Sequence, residues 1–358
     1  MHHKHRWSAW TAALVLGSAV ALAAEPGVLP RKSPPGMNES YPQVEVLYDS
    51  VRDATNHRLR LIVTHPHAPS GPLPTIFVVG WLSCDSVEAP PGTKDPTQLV
   101  MQALVALPGF ATVRMDKAGV GDSEGDCAAT DFLTELAGYQ RAFRQIQHYA
   151  FVDTDRLFLF GISNGGGFAP LVAEGVPVKG YVVDGGWIKT WYEHMLEIER
   201  RRLVLQGHGP EEINTLMQSI ERLYARYLLE GEAPRQSLAA HPEWQGLWQG
   251  DTDHQYGRPT SYYQQLQQLN LLAAWSAVKV PALVLHGQFD WIMSRADLEL
   301  MADTINRNTP GAAEFIELPA TGHTFEHYPS LEAAFAGKQL PFDPDNAQRI
   351  ARWFDQHR

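Results

Sequence analysis

Long apolar runs are scarce in this chain, and the most conspicuous one is too short to cross a membrane. Trp10 to Ala21 is a stretch of about a dozen mostly apolar residues, whereas a spanning helix needs about 20. It follows the basic start Met1-His-His-Lys-His-Arg6 and precedes Ala21-Leu-Ala23, the order of a charged leader, an apolar core and an A-x-A cleavage site. The expectation is a signal peptide over residues 1–23 and a product that is periplasmic or secreted, with an uncleaved anchor as the alternative. No cysteine follows the cleavage region, which argues against a lipid-anchored form. The histidines of the leader would depart with it and form no metal site. Basic residues are also in deficit, with 29 Lys and Arg against 40 Asp and Glu, a net charge of −11. Cleavage after Ala23 removes Lys4 and Arg6 and no acid, leaving −13. Such a balance speaks against nucleic-acid partners and against attraction to anionic membranes, and a cleaved chain has no means of stable membrane insertion. Repeats and low-complexity runs are absent. The length suits one domain with an insertion better than two independent domains.

Arg156-Leu-Phe-Leu-Phe-Gly-Ile-Ser-Asn-Gly-Gly-Gly167 is the most informative stretch. A short apolar run breaks at Gly161-Ile162-Ser163-Asn164-Gly165 and continues into a helix-like segment ending near Glu174. This is G-x-S-x-G in a strand, sharp turn and helix, the setting that lifts a serine hydroxyl clear of a sheet edge. Pro281-Ala-Leu-Val-Leu-His-Gly287 reads as a buried strand that opens into Asp290, and Ala313 to Pro319 as another that leads to His323.

Ser163, Asp290 and His323 fall in the serine, acid, histidine order of the α/β-hydrolase superfamily, which the chain resembles over roughly residues 40–358. Two further stretches carry the resemblance. Thr75-Ile-Phe-Val-Val-Gly-Trp81 looks like the strand leading into an oxyanion loop. Arg114 to Gly125 looks like the D-x-R-G-x-G-x-S turn, with Lys117 and Ala118 at the positions of the usual Arg-Gly. The resemblance implies a mostly parallel eight-stranded sheet with helices on both faces and a helical cap inserted after the sixth strand. It implies a core over residues 41–186 and 271–358, preceded by an extended lead-in over 24–40, with the cap over 187–270. In this fold the loops holding Cys84 and Cys127 leave adjacent strands, so a disulfide is expected in an exported protein, and two free thiols are the alternative.

Local patterns agree with that layout. Gln43–Tyr48 and Arg58–Thr64 alternate around a turn and predict a hairpin. From Thr75 onward strands (75–80, 111–115, 156–161, 179–184) alternate with helices (near 96–107 and 130–149), a rhythm that predicts a parallel sheet. The final helix is expected near Asp345–Gln356. Between Trp187 and Asn270 the rhythm stops, and Trp191–Leu205 and Glu211–Leu229 carry apolar residues at helical spacing. Trp187, Trp191, Tyr192, Trp244, Trp248, Tyr256, Tyr262 and Tyr263 make this stretch aromatic, either as an acyl pocket or as packing between cap and core.

By the resemblance, Ser163 is the nucleophile, His323 its general base and Asp290 the acid that orients the imidazole. The backbone N–H groups of Asn164 and Trp81 are the expected oxyanion donors. Each assignment has a rival: Asp184 also follows a strand, as the acid does in some relatives. His323 and His327 are spaced like a metal pair but lack a third ligand, so no metal is expected and no cofactor is implied. His286 reads as a core histidine, and Asp251-Thr-Asp-His254 as a polar loop rather than a chelate. The expected activity is hydrolysis of a small-molecule carboxylic ester through an acyl-enzyme. A peptidase of the aminopeptidase or acylpeptide type is the main alternative, for which Glu197-Ile-Glu-Arg-Arg-Arg202 would supply charged contacts. Thioester, lactone or carbon–carbon bond hydrolysis, and a non-catalytic binding scaffold, complete the alternatives.

Overall fold

The computed structural model describes residues 27–32 and 38–358, so the expected signal peptide lies outside the described residues. β1 (Val44–Arg52) and β2 (Arg58–Pro66) form the expected antiparallel hairpin. Asp53 closes its turn, one carboxylate oxygen accepting from the backbone N–H groups of Thr55 and His57 at 2.8 and 2.9 Å. β3 (Leu73–Val79), β4 (Ala111–Met115), β5 (Val152–Ile162) and β6 (Gly180–Asp184) follow. A two-residue pair, β7 (His254–Gln255) and β8 (Arg258–Pro259), stands apart as its own ribbon. β9 (Ala282–Gly287) and β10 (Ala313–Leu318) complete the sheet, whose order is β1-β2-β4-β3-β5-β6-β9-β10. All pairs from β4 to β10 are parallel, and β2 joins β4 antiparallel. The chain leaves β3 toward one edge and β5 toward the other. A crevice therefore opens between their carboxyl ends, the place where open α/β sheets bind ligands.

Successive residues of a strand face opposite sides, and the sheet uses this to build two cores. Phe77 and Val79 of β3, with Leu157 and Leu159 of β5, pack on α2 (Phe132–Gln145) and α3 (Asn164–Val172). Ile76 and Val78, with Phe158 and Phe160, pack on the opposite side against α1 (Pro96–Val105) and a C-terminal helix over residues 344–357. Strands buried on both faces read as near-continuous apolar runs, which is why they were conspicuous in the sequence.

The segment between β6 and β9 carries α4 (Trp191–Leu205), α5 (Pro210–Tyr224), α6 (Pro234–Ala240), α7 (Thr260–Gln267) and α8 (Leu271–Ser276). Thr190 starts α4 with a reciprocal capping box to Glu193, and a π-helical turn prolongs α5 through Leu229. The buried side chains of α4, α5 and α7 are continuous with the α2–α3 core. Buried polar contacts help to fasten the segment. Arg258 of β8, fully buried, pairs with Glu135 of α2 and lies over the Tyr262 ring, 4.3 Å from its centroid. Trp275 of α8 donates to the Gly167 carbonyl at 2.8 Å. The lead-in is tied down by a buried Arg114–Glu39 pair and by Arg31 beside Glu88 and Asp122. Cys84 and Cys127 form the expected disulfide, across a sequence separation of 43 residues. Among the described residues no helix is long and apolar enough to cross a membrane.

Candidate active site

β5 ends at Ile162 and α3 begins at Asn164, leaving Ser163 alone to make the turn at φ 56° and ψ −123°. That conformation is strained for a side-chain-bearing residue and is kept where surrounding structure enforces it. Two close approaches do so. A Cβ at Gly161 would lie 2.7 Å from the Cα of Gly166, and one at Gly165 would overlap the Val79 and Gly80 carbonyls. The Ser163 N–H donates to the Asp184 carbonyl at 2.8 Å. Asp290 follows β9 and His323 follows β10, so three separate strand ends converge here.

His323 bridges the other two side chains: its Nε2 lies 2.8 Å from Ser163 Oγ and its Nδ1 2.8 Å from Asp290 Oδ2. The second Asp290 oxygen accepts from the N–H groups of Ile292 and Met293 at 2.8 and 2.9 Å. Burial pushes the Asp290 carboxyl upward, but the His323 charge and hydrogen bonds outweigh it and hold the group below its ordinary range. Burial alone would lower the His323 pKa; the Asp290 charge and hydrogen bond reverse this and raise it.

The rival residues fall elsewhere. Asp184 gives only its carbonyl to Ser163, and one oxygen of its buried carboxyl has no hydrogen-bond partner among the described residues. Burial, with Asp290 and Glu326 nearby, raises its pKa well above the carboxylate range. His327 pairs through its backbone with Thr321 and Leu340. His286 is buried in β9, its Nδ1 3.7 Å from Glu317. Asp251 engages His254 while Asp253 pairs with Arg235, and no cluster of metal-ligating side chains occurs among the described residues. The charged run on α4 is consumed internally: Glu197 binds Lys189, Glu199 binds Arg202, Arg200 faces Glu221, and Arg201 donates to the Trp291 carbonyl at 2.6 Å.

Above Ser163 and His323 lies a cavity of about 260 Å³. Trp81, Leu82 and Ser83 wall it from the loop after β3, Trp291, Ile292 and Met293 from the loop after β9, and Trp191, His194, Met195 and Ile198 from α4. Tyr256 enters from the tip of the β7–β8 ribbon, where it and Gly257 take φ values of 49° and 74°. Of the aromatic residues noted in the sequence, Trp191 and Tyr256 therefore line the cavity, while Trp187, Trp244, Trp248, Tyr262 and Tyr263 pack the interior. Both expected oxyanion residues, Trp81 and Asn164, are in the lining. The Asn164 side chain is fixed from two sides: it accepts from Trp187 Nε1 at 3.1 Å and donates to the Tyr262 hydroxyl at 3.0 Å.

Nothing in the sequence singled out His194, and nothing there gave Lys117 a role. His194 is one of several polar residues on an amphipathic helix, and only its neighbours show that it faces the cavity. Burial, aided by Arg201 and His323, pushes its pKa down to about 3, so it is a neutral imidazole. Lys117 was visible as a departure from the usual turn motif, but its partners were not.

A mostly parallel sheet of this order, with a serine on a strained turn between β5 and α3, defines an α/β-hydrolase. A family model described as X-Pro dipeptidyl-peptidase (S15 family) matches residues 55–309, and the chain belongs to that peptidase S15 family of hydrolases. No curated protein matches the sequence. Solved structures share the fold at low identity. The esterase Est1E of Butyrivibrio proteoclasticus, solved with ferulic acid, is 14% identical with a TM-score of 0.55, covering 87% of this chain and 98% of its own. An esterase of Pyrococcus furiosus is 12% identical with a TM-score of 0.54, covering 93% and 98%. A hypothetical protein of Pseudomonas aeruginosa is 15% identical with a TM-score of 0.53, covering 92% and 100%.

Proposed function

We propose that the protein hydrolyses carboxylic esters with a small, apolar acyl group, through an acyl-enzyme on Ser163. Neutral His323 accepts the Ser163 proton as Oγ attacks the ester carbonyl, and Asp290 stabilises the imidazolium that forms. The oxygen that gains charge is received by the N–H groups of Trp81 and Asn164. His323 then passes its proton to the departing alkoxide, which leaves as the alcohol. Water, deprotonated by the same imidazole, attacks the acyl-enzyme and releases the acid. The observation that carries this reading is the Asp290–His323–Ser163 hydrogen-bonded chain opening into an apolar cavity. That cavity, about 260 Å³, is slightly smaller than the usual ligand pocket of roughly 300–1,000 Å³ and suits a short or single-ring acyl group.

Family membership favours a second reading, cleavage of peptides. A peptidase that reads a free amino terminus needs a charged acceptor near the nucleophile. Among the described residues the cavity lining holds no Asp or Glu, and Glu197 and Glu199 of α4 are already paired. The test is turnover of p-nitrophenyl esters from acetate to palmitate beside aminoacyl and prolyl p-nitroanilides. Short or aromatic esters are expected to lead. Ser163→Ala and His323→Ala should each lower kcat/KM by at least about 10⁴-fold, while His327→Ala keeps most activity. Anilides turned over faster than every ester would give the peptide reading first place.

A further inference from the structure

We propose that Lys117 is a positioning residue for the reaction, a buried ammonium that fixes the Trp81 peptide in the loop following β3. The proposal rests on Trp81 serving as an oxyanion donor, as inferred above. Lys117 lies just past β4 and is 5% exposed. Its Nζ donates to the Trp81 carbonyl and, at 2.6 Å, to that of Ser83. The large buried cations elsewhere meet carboxylates: Arg60 meets Asp116, Arg114 meets Glu39 and Arg258 meets Glu135. Lys117 instead turns its hydrogen bonds on one loop.

The rest of that loop has its own fastenings. Asp116 accepts from the Val87 N–H and the Ser86 hydroxyl, both at 2.9 Å, and the disulfide holds Cys84. Those anchors secure residues 84–87. At the strand end, the Gly80 N–H donates to the Tyr139 hydroxyl at 3.2 Å. Lys117 supplies the matching constraint on the far side of Trp81. With Gly80 held on one side and the Trp81 carbonyl on the other, rotation about Trp81 is restricted, and the direction of its N–H is fixed. An oxyanion donor works by being oriented before the charge develops, so a residue that orients it acts on kcat more than on substrate binding.

The energetics agree with a functional role. Burial lowers the Lys117 pKa to about 8, against the opposing charges of Glu135, Asp85 and Asp116 and with Arg258 adding to the depression. A lysine depressed on folding costs stability while charged. The cost is present below about 8 and relieved as pH rises toward the ordinary value of about 10.4. Through this group, stability rises with pH over a window in which the charge beneath the loop is lost and its hydrogen bonds weaken. A purely structural lysine gives no opposed pair of trends.

The experiment compares Lys117→Met, Lys117→Arg and the unsubstituted protein on one short p-nitrophenyl ester, with melting temperatures alongside. Lys117→Met is expected to lower kcat by about tenfold, less than the roughly 10²–10³ for outright loss of an oxyanion donor, and to change KM little. Lys117→Arg, which keeps a charged donor, should recover part of that loss. A folded Lys117→Met protein with unchanged kcat overturns the proposal. Should that variant not fold, the unsubstituted protein decides: kcat should decline as pH passes about 8 without a fall in melting temperature. A kcat that stays flat through that pH overturns it. Ser163→Ala in the same assay keeps the two questions apart, because turnover surviving there breaks the acyl-enzyme reading itself.

Discussion

Two imidazoles, His323 and the buried His194, line the cavity with Ser163, and their surroundings drive them in opposite directions. For His323 the Asp290 charge outweighs burial and raises the pKa, whereas His194, beside Arg201 and His323, falls to about 3. The acid limb of kcat/KM should therefore show one ionisation, above the ordinary histidine value of about 6.5. On the proposed mechanism, His323 below that limb is charged and unable to accept the serine proton. The linkage has the same origin. A histidine raised on folding contributes stability that is complete below about 6.5 and lost as pH rises through its folded pKa, so the pair is most stabilising where the enzyme is least active. Asp290→Asn should move the limb downward and reduce kcat by about 10³–10⁴-fold. A limb with two ionisations, or one unmoved by Asp290→Asn, contradicts the assignment. Asp184 offers the contrast. Burial raises its pKa and only its backbone carbonyl meets Ser163, so Asp184→Asn, a near-isosteric change, should keep most of kcat. A loss matching that of Asp290→Asn in the same assay would make Asp184 the acid.

At the scale of elements, the strands were legible because burial on both faces leaves little room for polar residues. β3, β9 and the apolar half of β5 were read from such runs. The start of β5 was not, since Asp153, Thr154 and Asp155 are polar and the strand is recognised there only by pairing with β3. The β7–β8 ribbon was also missed. Two residues per strand give no periodicity, and the element exists because Arg258 reaches Glu135 and Tyr263 donates to the Gln255 carbonyl. The cysteine pairing was expected through the family resemblance, which puts their two loops side by side, and the disulfide is present. The disulfide closes a loop worth about 4 kcal/mol in the chain-entropy account, for a sequence separation of 43 residues. Cys84→Ser with Cys127→Ser is accordingly expected to unfold at a lower denaturant concentration, with kcat reduced less than stability because Lys117 and Asp116 still hold the loop. A double variant as stable as the parent would remove the disulfide from the account of the loop.

Across the whole molecule, the order of the three site residues was readable, while their meeting was not. Ser163, Asp290 and His323 come from the ends of β5, β9 and β10, and only the parallel sheet brings residues 160 positions apart down to a 2.8 Å contact. The long segment from α4 to α8 was legible as a break in the strand–helix rhythm. Which of its aromatic residues face the cavity depended on packing that no periodicity encodes. What the assembled molecule presents is one serine, at a strained turn, beneath a small apolar cavity. The most direct test mixes enzyme with excess p-nitrophenyl acetate, follows the first turnover, and locates the acyl group by mass after acid quench. The account predicts a burst of about one p-nitrophenolate per chain and one acetyl group on the peptide containing Ser163, both absent in Ser163→Ala. Turnover with the acetyl group elsewhere, or undiminished in Ser163→Ala, would contradict it.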